Sequence, residues 1–231
     1  MTNESPNTPQ NTLPRKPVRI DPRVPWLADV RRMLSPMSGV TDRPFRDLCR
    51  PMGVNMGFCE FASASGLMFD SEATWKLVDT TGEKGRVGIQ IFGADPEHMG
   101  TAARLLSKMH MDVLDINFGC PAKKVVKKSG GSALLADLPL LQDVLDAVIQ
   151  SSEVPVTAKI RTGWDEDSVN YREVGLLLQE AGLPWVTMHG RTRRKNIRAR
   201  PTGIVSPIRL KPWTFLSLVM VMWLMANLTA K

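Results

Sequence analysis

Cys120 lies in the part of this chain that is richest in groups able to do chemistry. Residues 113–117 before it alternate in polarity like a short, mostly buried strand. They lead into the sequence NFGCP at residues 117–121, where glycine permits a sharp turn and proline fixes φ, so the thiol is expected at a strand's carboxyl end. Loops at that end hold catalytic groups in α/β folds. A thiol with a pKa of about 8.5 is mostly protonated at neutral pH and can act as a general acid.

The lysine loop, residues 123–128, follows directly. It contains Lys123, Lys124, Lys127 and Lys128. The turn after it, residues 130–132, is rich in backbone N–H groups of the kind that bind anions. A buried structural cysteine is the alternative for Cys120, but such a residue would not need these neighbours. We therefore predict that the lysine loop contacts phosphates, with a solvated basic rim as the alternative.

The sequence NFGCPAKKVVKKSGGSALL, residues 117–135, closely resembles a motif of the tRNA-dihydrouridine synthases, and most of all of their bacterial B-type members. These are flavoproteins that reduce uridine in tRNA. Further segments resemble other motifs of the family in the family's order, namely PMSGVTDRPFR (36–46), GIQIFG (88–93), TAKIRTGW (157–164) and MHGRTR (188–193). The resemblance covers about residues 28–193. It implies an oxidoreductase that reduces the C5=C6 bond of uridine in tRNA, with FMN as cofactor and NADPH as reductant.

The resemblance also implies roles for individual residues. Cys120 would be the catalytic acid that protonates C5 of the uracil. The residues expected to bind FMN are Pro36, Met37, Ser38, Gln90, Lys159 and His189. Those expected to contact uracil or tRNA are Asn117, Lys123, Lys124, Lys127, Lys128, Arg161 and Arg191. Lys159 would stabilise negative charge on the flavin, whereas a solvated lysine at a strand end is the alternative. A satisfied core imidazole is the alternative for His189.

Composition is compatible with these expectations without deciding them. The chain has 231 residues, 43% of them apolar, which is enough for one sizeable core. Thirty Lys and Arg against 23 Asp and Glu give a net charge of +7, which suits a polyanionic partner but is shared by many enzymes. The three cysteines and three histidines show no metal-ligand spacing, so no metal is predicted. The start has no apolar run of signal-peptide type, and a cytoplasmic monomer is expected.

Short apolar runs alternate with amphipathic segments from residue 30 onward, the pattern of repeated βα units around a parallel sheet. Strands are predicted near residues 32–36, 55–61, 87–92, 113–117, 155–160 and 185–189. Helices are predicted to begin at Asp95-Pro96 and Asp137-Leu138-Pro139, and a third is predicted to stop at Gly182. No GxGxxG follows the first strand, so a TIM barrel fits better than a Rossmann sheet. A barrel would bring the predicted site residues together around one mouth.

The two ends of the chain depart from this pattern. Residues 1–27 are rich in proline and basic residues and are predicted to form a flexible arm ahead of a partial flavin-binding barrel at 28–193. Residues 194–231 form an atypical tail, in which 212–230 carry no charge. That segment could barely span a hydrocarbon core of about 30 Å, and its polar residues argue against membrane insertion. A non-native end produced by truncation or a frame change is favoured.

The barrel is therefore predicted to be incomplete, because about six βα units are recognisable where a full barrel has eight. The helical tRNA-binding domain that follows the barrel in the family is not legible here. Three functions stay open. The chain could be an active synthase, a catalytically defective fragment with residual RNA affinity, or a flavin barrel acting on a free pyrimidine. The basic lysine loop argues against the third.

Overall fold

The structure, a computed structural model, describes residues 20–194 and the backbone of residues 216–220. One curled sheet of eight parallel strands runs through this part of the chain. The strands are β1 (Met33–Leu34), β2 (Met56–Phe58), β3 (Ala62–Ser63), β4 (Arg86–Phe92), β5 (Val113–Phe118), β6 (Val156–Arg161), β7 (Trp185–His189) and β8 (Leu216–Met220). Their spatial order is β1, β2, β4, β5, β6, β7 and β8, while the short β3 pairs with the end of β4.

Helices alternate with the strands. They are α1 (Arg43–Cys49), α2 (Ala64–Met68), α3 (Glu72–Val78), α4 (Pro96–Leu106), α5 (Lys123–Val126), α6 (Leu138–Ser151) and α7 (Tyr171–Glu180), with 3-10 turns at Pro25–Asp29, Arg50–Met52 and Gly131–Ala136. Strand and helix follow each other in the order typical of an incomplete TIM-type barrel. The predicted fold class and all six predicted strands are thus confirmed.

The predicted helix starts have the expected capping geometry. The Asp95 carboxylate accepts the N–H of His98 at 3.0 Å ahead of α4, and Asp137 accepts the N–H of Leu140 at 3.1 Å ahead of α6. A proline follows each cap in the first turn, where its missing N–H costs nothing. The apolar faces of α4 and α6 are buried, with Met99, Ala102, Leu106, Leu141, Val144, Leu145 and Val148 all fully covered. These helices are therefore part of the core and position the strands.

The two faces of the sheet differ because successive side chains of a strand point to opposite sides. The outward set on β4 to β7 is apolar and packs in one core with α4, α6 and α7, for example Ile89, Ile116 and Ile160. The inward set is apolar near the amino ends of the strands, where Val113 and Trp185 pack in a second, smaller core. On β5 to β7 the inward side chains become polar toward the carboxyl ends, whereas β4 ends on the aromatic Phe92. This change in polarity marks where the site lies.

The amino end of the sheet is closed by residues 20–30. Val24 and Leu27 are buried in the smaller core, and the Trp26 ring meets Trp185 edge-on with centroids 5.9 Å apart. The Arg86 guanidinium lies 4.6 Å from the Trp26 ring centroid. The structure differs here from the predicted flexible arm over residues 20–27, because these few apolar side chains find a matching pocket. Residues 1–19 of that arm lie outside the described residues.

Strand β8 was not predicted. It lies within the uncharged segment 212–230 and pairs in parallel with β7, from Trp185 opposite Leu216 to His189 opposite Met220. A short apolar run does not reveal by periodicity whether it forms a strand or part of a helix. The two interpretations of segment 212–230, a membrane anchor or a non-native tail, otherwise concern residues that lie outside the described part of the chain. Within residues 20–194, no helix is both long and apolar enough to cross a membrane.

Candidate active site at the carboxyl edge of the sheet

The polar side chains of β4 to β7 form rows across the inner face of the sheet. Strand register gives three rows, which are Gln90, Asp115 and Thr157; then Asn117, Lys159 and Thr187; and finally Arg161 and His189. The rows ascend toward the carboxyl edge, where the Cys120 loop begins. The structure therefore brings Gln90, Asn117, Cys120, Lys159, Arg161 and His189 to one edge of the sheet.

A hydrogen-bond network joins the first two rows. The Asp115 carboxylate accepts the Thr157 hydroxyl at 2.5 Å and the Gln90 amide Nε2 at 2.6 Å. Gln90 Oε1 in turn accepts Nδ2 of Asn117 at 2.9 Å. All four side chains are buried. The amides of Gln90 and Asn117 are thus held in defined orientations, and each keeps one N–H for another partner.

The backbone of Cys120 is held from both sides. Asn117 Oδ1 accepts the N–H of Gly119 at 3.0 Å and that of Cys120 at 2.8 Å. The N–H and hydroxyl of Ser132 donate to the Cys120 carbonyl at 3.1 and 2.9 Å. Gly131 has φ +60°, and a Cβ there would lie 2.8 Å from the same carbonyl oxygen, so only glycine fits. The loop therefore presents the thiol at a fixed place.

Cys120 is suited to be a proton donor because its thiol stays neutral. Burial raises the pKa of Cys120 above its ordinary value, although the backbone N–H of Ala122 and the charges of Arg161 and Lys159 oppose the rise. The side chain is only partly covered, so a bound molecule could reach it. A partly accessible, protonated thiol on a rigid loop is what general acid catalysis requires.

Lys159 and Asp115 are two charged side chains of these polar rows. Burial lowers the pKa of Lys159 to about 8, an effect that Arg161 increases and Asp115 opposes. Burial raises the pKa of Asp115 to about 6, opposed by its bonds from Thr157 and Gln90. Both groups are mostly charged at pH 7. Within the described residues, the half-buried ammonium group of Lys159 has no hydrogen bond or salt bridge, so it can still bind an electron-rich ligand.

His189 is neutral in this environment. Burial lowers its pKa to about 3, and the cations Arg161, Lys159 and Arg191 add to the shift. Nη1 of Arg191 lies 3.3 Å from Nε2 of His189. A guanidinium can only donate, so this contact assigns the ring proton to Nδ1. His189 can therefore donate one hydrogen bond from Nδ1 without carrying charge.

Arg161 and Arg191 were predicted to contact tRNA, and the structure places their side chains in the interior of the site. Their side chains are only 4% and 5% exposed. Arg161 donates from Nε to the Gly119 carbonyl at 2.8 Å and from Nη1 to the Thr192 carbonyl at 2.9 Å. Arg161 thus ties the loop after β5 to the loop after β7. Contact of either arginine with substrate stays a prediction.

The predicted flavin turn, residues 36–38, follows β1, which is separated from β5 by β2 and β4. The N–H of Met37 donates to Thr41 Oγ1 at 2.9 Å, and the N–H of Gly39 donates to the Glu60 carboxylate. Gly39 has φ +72°, which glycine tolerates best. Pro36 and Met37 are half-buried and Ser38 is exposed. The turn is thus fixed by bonds from within itself and from the neighbouring loop.

The lysine loop forms α5 and its end, directly after the Cys120 turn. Val125 anchors it in the protein, while Lys123, Lys124, Lys127 and Lys128 are all exposed. Ser129 has φ +57°, which turns the chain sharply before residues 130–132 return to the Cys120 carbonyl. Four exposed cations therefore lie beside the thiol in sequence and at the same edge of the sheet.

Several residues of the site were not singled out from the sequence. Asp115, Thr157 and Ser132 hold the network and the loop, and Glu60 fixes the turn after β1. Asp115 gave the clearest signal, since it is the one charged residue of the strand VLDINF and shares its face with Asn117. In the described part of the chain, no group of three or more His, Cys, Asp or Glu side chains could hold a metal ion.

Comparison with known proteins gives a consistent result. A family model described as "Dihydrouridine synthase (Dus)" matches residues 33–206. The tRNA-dihydrouridine synthase B of Pseudomonas aeruginosa is 43% identical over 169 residues, covering 73% of this chain and 51% of that protein. The Shewanella oneidensis protein of the same name is 39% identical over 170 residues, covering 74% of this chain and 53% of that protein. The chain spans about half the length of the curated relatives it matches.

Proposed function

Because the chain belongs to the dihydrouridine synthase family, we propose that it reduces the C5=C6 bond of uridine in tRNA, with FMN as cofactor and NADPH as reductant. Enzymes of this family are flavin-dependent and modify tRNA. The observation that carries the proposal is the neutral Cys120 thiol, held by Asn117 and Ser132 at the edge where Lys159 and His189 converge. It supports proton delivery to a bound base at a defined position.

The division of labour follows from the chemistry of the double bond. Saturating C5=C6 requires a hydride at C6 and a proton at C5. FMN, when bound, would supply the hydride. Cys120 supplies the proton and is then reprotonated from water. The free N–H of the Asn117 amide is the donor that we assign to a uracil carbonyl, because its other N–H is already committed to Gln90.

The residues at the edge fit a flavin. Lys159 offers a half-buried cation to an electron-rich ring edge, and Gln90 keeps one amide N–H for the same ligand. His189 offers a neutral Nδ1 donor. By the resemblance, the backbone of the turn at residues 36–38 would contact the flavin. The donors match a ring system with several carbonyl and nitrogen acceptors, and none of them needs to move a proton for binding.

If Lys159 binds FMN as proposed, the affinity for FMN depends on pH. Lys159 loses its proton as pH rises through about 8, so its attraction for the flavin is present below that pH and lost above it. We expect FMN affinity to fall about tenfold between pH 7 and pH 9.5, the worth of one charge-assisted hydrogen bond. Fluorescence titration of FMN measures this. The matched variant Lys159→Met should bind FMN weakly at both pH values. An equal pH effect in that variant would contradict the assignment of Lys159 as an FMN-binding residue.

The lysine loop is proposed to contact tRNA phosphates. Replacing Lys123, Lys124, Lys127 and Lys128 by Gln should lower the slope of log affinity against log salt by about 0.7–0.9 for each lost contact, or about 3 in total. A filter-binding series from low to moderate salt gives the slope. The double variant Lys84→Gln/Lys108→Gln, on exposed lysines near the amino edge, is the control and should keep the slope. An unchanged slope in the fourfold variant would leave these lysines as a solvated rim.

We propose as the alternative a catalytically defective member of the family with residual RNA affinity, which the four exposed cations of the lysine loop would supply. Flavin binding distinguishes the two proposals. Purified chain that takes up FMN, and whose flavin absorbance is bleached by NADPH, supports the enzyme. Chain that binds tRNA but shows neither property supports the inactive form.

The cellular setting is also proposed. Cys49, Cys59 and Cys120 are all free thiols, as expected in a reducing compartment. We therefore propose a cytoplasmic protein that acts as a monomer. A free Cys120 is required in any case, since a disulfide would remove the proton that the reaction uses.

A further inference from the structure

We propose that Asp115 is a positioning residue that orients the Gln90 and Asn117 amides and thereby holds the loop of Cys120. The four residues form one chain of hydrogen bonds, from the Asp115 carboxylate through Gln90 and Asn117 to the Cys120 N–H. Asp115 touches neither the thiol nor the proposed ligand directly. The proposal rests on the proposed function only in taking Cys120 as the acid, since the hydrogen bonds themselves are independent of it.

The direction of each bond follows from Asp115. A carboxylate has only acceptors, so the Gln90 amide must turn its NH₂ group toward it. Gln90 Oε1 then faces Asn117 and accepts its NH₂ group. This leaves Asn117 Oδ1 facing the loop, where two backbone N–H groups need an acceptor. Both ends of the relay demand the same polarity, so no amide can flip without leaving a buried group unpaired.

Burial makes this polarity strict. Gln90 is fully buried, Asp115 is 2% exposed and Asn117 is 7% exposed, so water cannot replace a lost partner easily. Thr157 donates to the second carboxylate oxygen of Asp115 from β6. The relay therefore spans β6, β5 and β4 before it returns to the loop after β5. Among residues 20–194, its only bond to the Cys120 backbone N–H is the one accepted by the Asn117 side chain.

Substitutions at Asp115 separate the acceptor from the charge. Asp115→Leu removes the acceptor, so Gln90 Nε2 loses its partner and the amides of the relay lose their fixed orientation. Asp115→Asn removes the charge but keeps one oxygen toward Gln90, while the new NH₂ group can donate a hydrogen bond to the Thr157 hydroxyl oxygen. Thr157→Val leaves the bond from Gln90 in place and controls for a general disturbance of the core.

Alkylation of Cys120 by iodoacetamide, followed by peptide mass spectrometry of the full chain, tests the relay. We expect Asp115→Leu to raise the alkylation rate of Cys120 at least about fivefold, because the loop opens locally more often. Asp115→Asn and Thr157→Val should stay within about twofold of the unmodified sequence, since both keep the acceptor that faces Gln90. Cys59, which is fully buried with a pKa raised to about 11, should remain unmodified and so reports that the variants stay folded.

Specific results would overturn the proposal. One is an unchanged rate at Cys120 in folded Asp115→Leu, and another is a rate in Asp115→Asn as altered as that in Asp115→Leu. If Asp115→Leu does not fold, hydrogen exchange in the unsubstituted chain decides. The Gln90 side-chain NH₂ should then exchange at least about a hundredfold more slowly than that of the exposed Gln150, and similar rates would contradict the relay.

Discussion

Replacing Cys120 by Ala is expected to lower dihydrouridine formation by a factor of about 10² to 10⁴ while leaving FMN binding and flavin reduction by NADPH intact, since general acid catalysis contributes about that much. In the proposed mechanism, hydride supply and protonation of C5 use different groups, so only the second step should suffer. Because burial raises the pKa of the Cys120 thiol, the wild-type acid stays protonated through neutral pH. Stopped-flow absorbance separates the reduction of the flavin from its reoxidation by tRNA.

A second cysteine provides the control for this experiment. Cys49 is a free, partly covered thiol on α1 and is not among the proposed site residues. Cys49→Ala should reoxidise the flavin at the wild-type rate. If Cys120→Ala also reoxidised the flavin at the wild-type rate, another group would be the acid, and Cys120 would have only a packing role in the loop.

Replacing Glu83 by Ala is expected to lower the free energy of unfolding by about 3–5 kcal/mol, the usual cost of breaking a buried ion pair from one side. The Glu83 carboxylate is fully buried and receives Arg46 at 2.8 Å and Arg50 at 2.9 Å. Arg46 is itself 2% exposed and also donates to the Thr41 carbonyl, in the turn after β1. Removing Glu83 would leave a buried guanidinium without its anion.

Denaturant unfolding of the two variants Glu83→Ala and Glu72→Ala gives the comparison. Glu72 forms an exposed pair with Lys76 at 2.7 Å, and its loss should cost no more than about 0.5 kcal/mol. Burial works to raise the pKa of Glu83, but the bonds from Arg46 and Arg50 outweigh it and lower that pKa. The pair therefore stabilises the fold above the unfolded pKa of Glu, and this contribution is lost as pH falls through the lowered value. Equal losses in the two variants would contradict this account.

Much of the fold could be predicted because its signals are local. Apolar runs bounded by turns gave the six strands, and the caps Asp95 and Asp137 gave two helix starts. Strand β8 escaped because an uncharged apolar run lacks the alternation that distinguishes a strand. The packing of residues 20–30 escaped because it depends on partners such as Trp185 that lie far away in sequence.

The candidate site was predictable only in part, for a related reason. Its residue type and neighbours at a strand end indicated Cys120, the family resemblance indicated Lys159 and His189, and the structure brings them to one edge. Residue types do not show which polar side chains already have hydrogen-bond partners within the protein. The hydrogen bonds of Asn117 and Arg161 to the Cys120 loop arise from strand register and burial, which exist only in the folded sheet. The same register makes Asp115 part of the site.

The most direct test is to incubate the full chain with FMN, NADPH and tRNA that lacks dihydrouridine, and to measure dihydrouridine in the digested tRNA by mass spectrometry. The proposed function predicts that dihydrouridine forms with the wild-type chain, requires NADPH, and falls to background with Cys120→Ala. A wild-type chain that binds FMN, is reduced by NADPH and still leaves every uridine unchanged would contradict it.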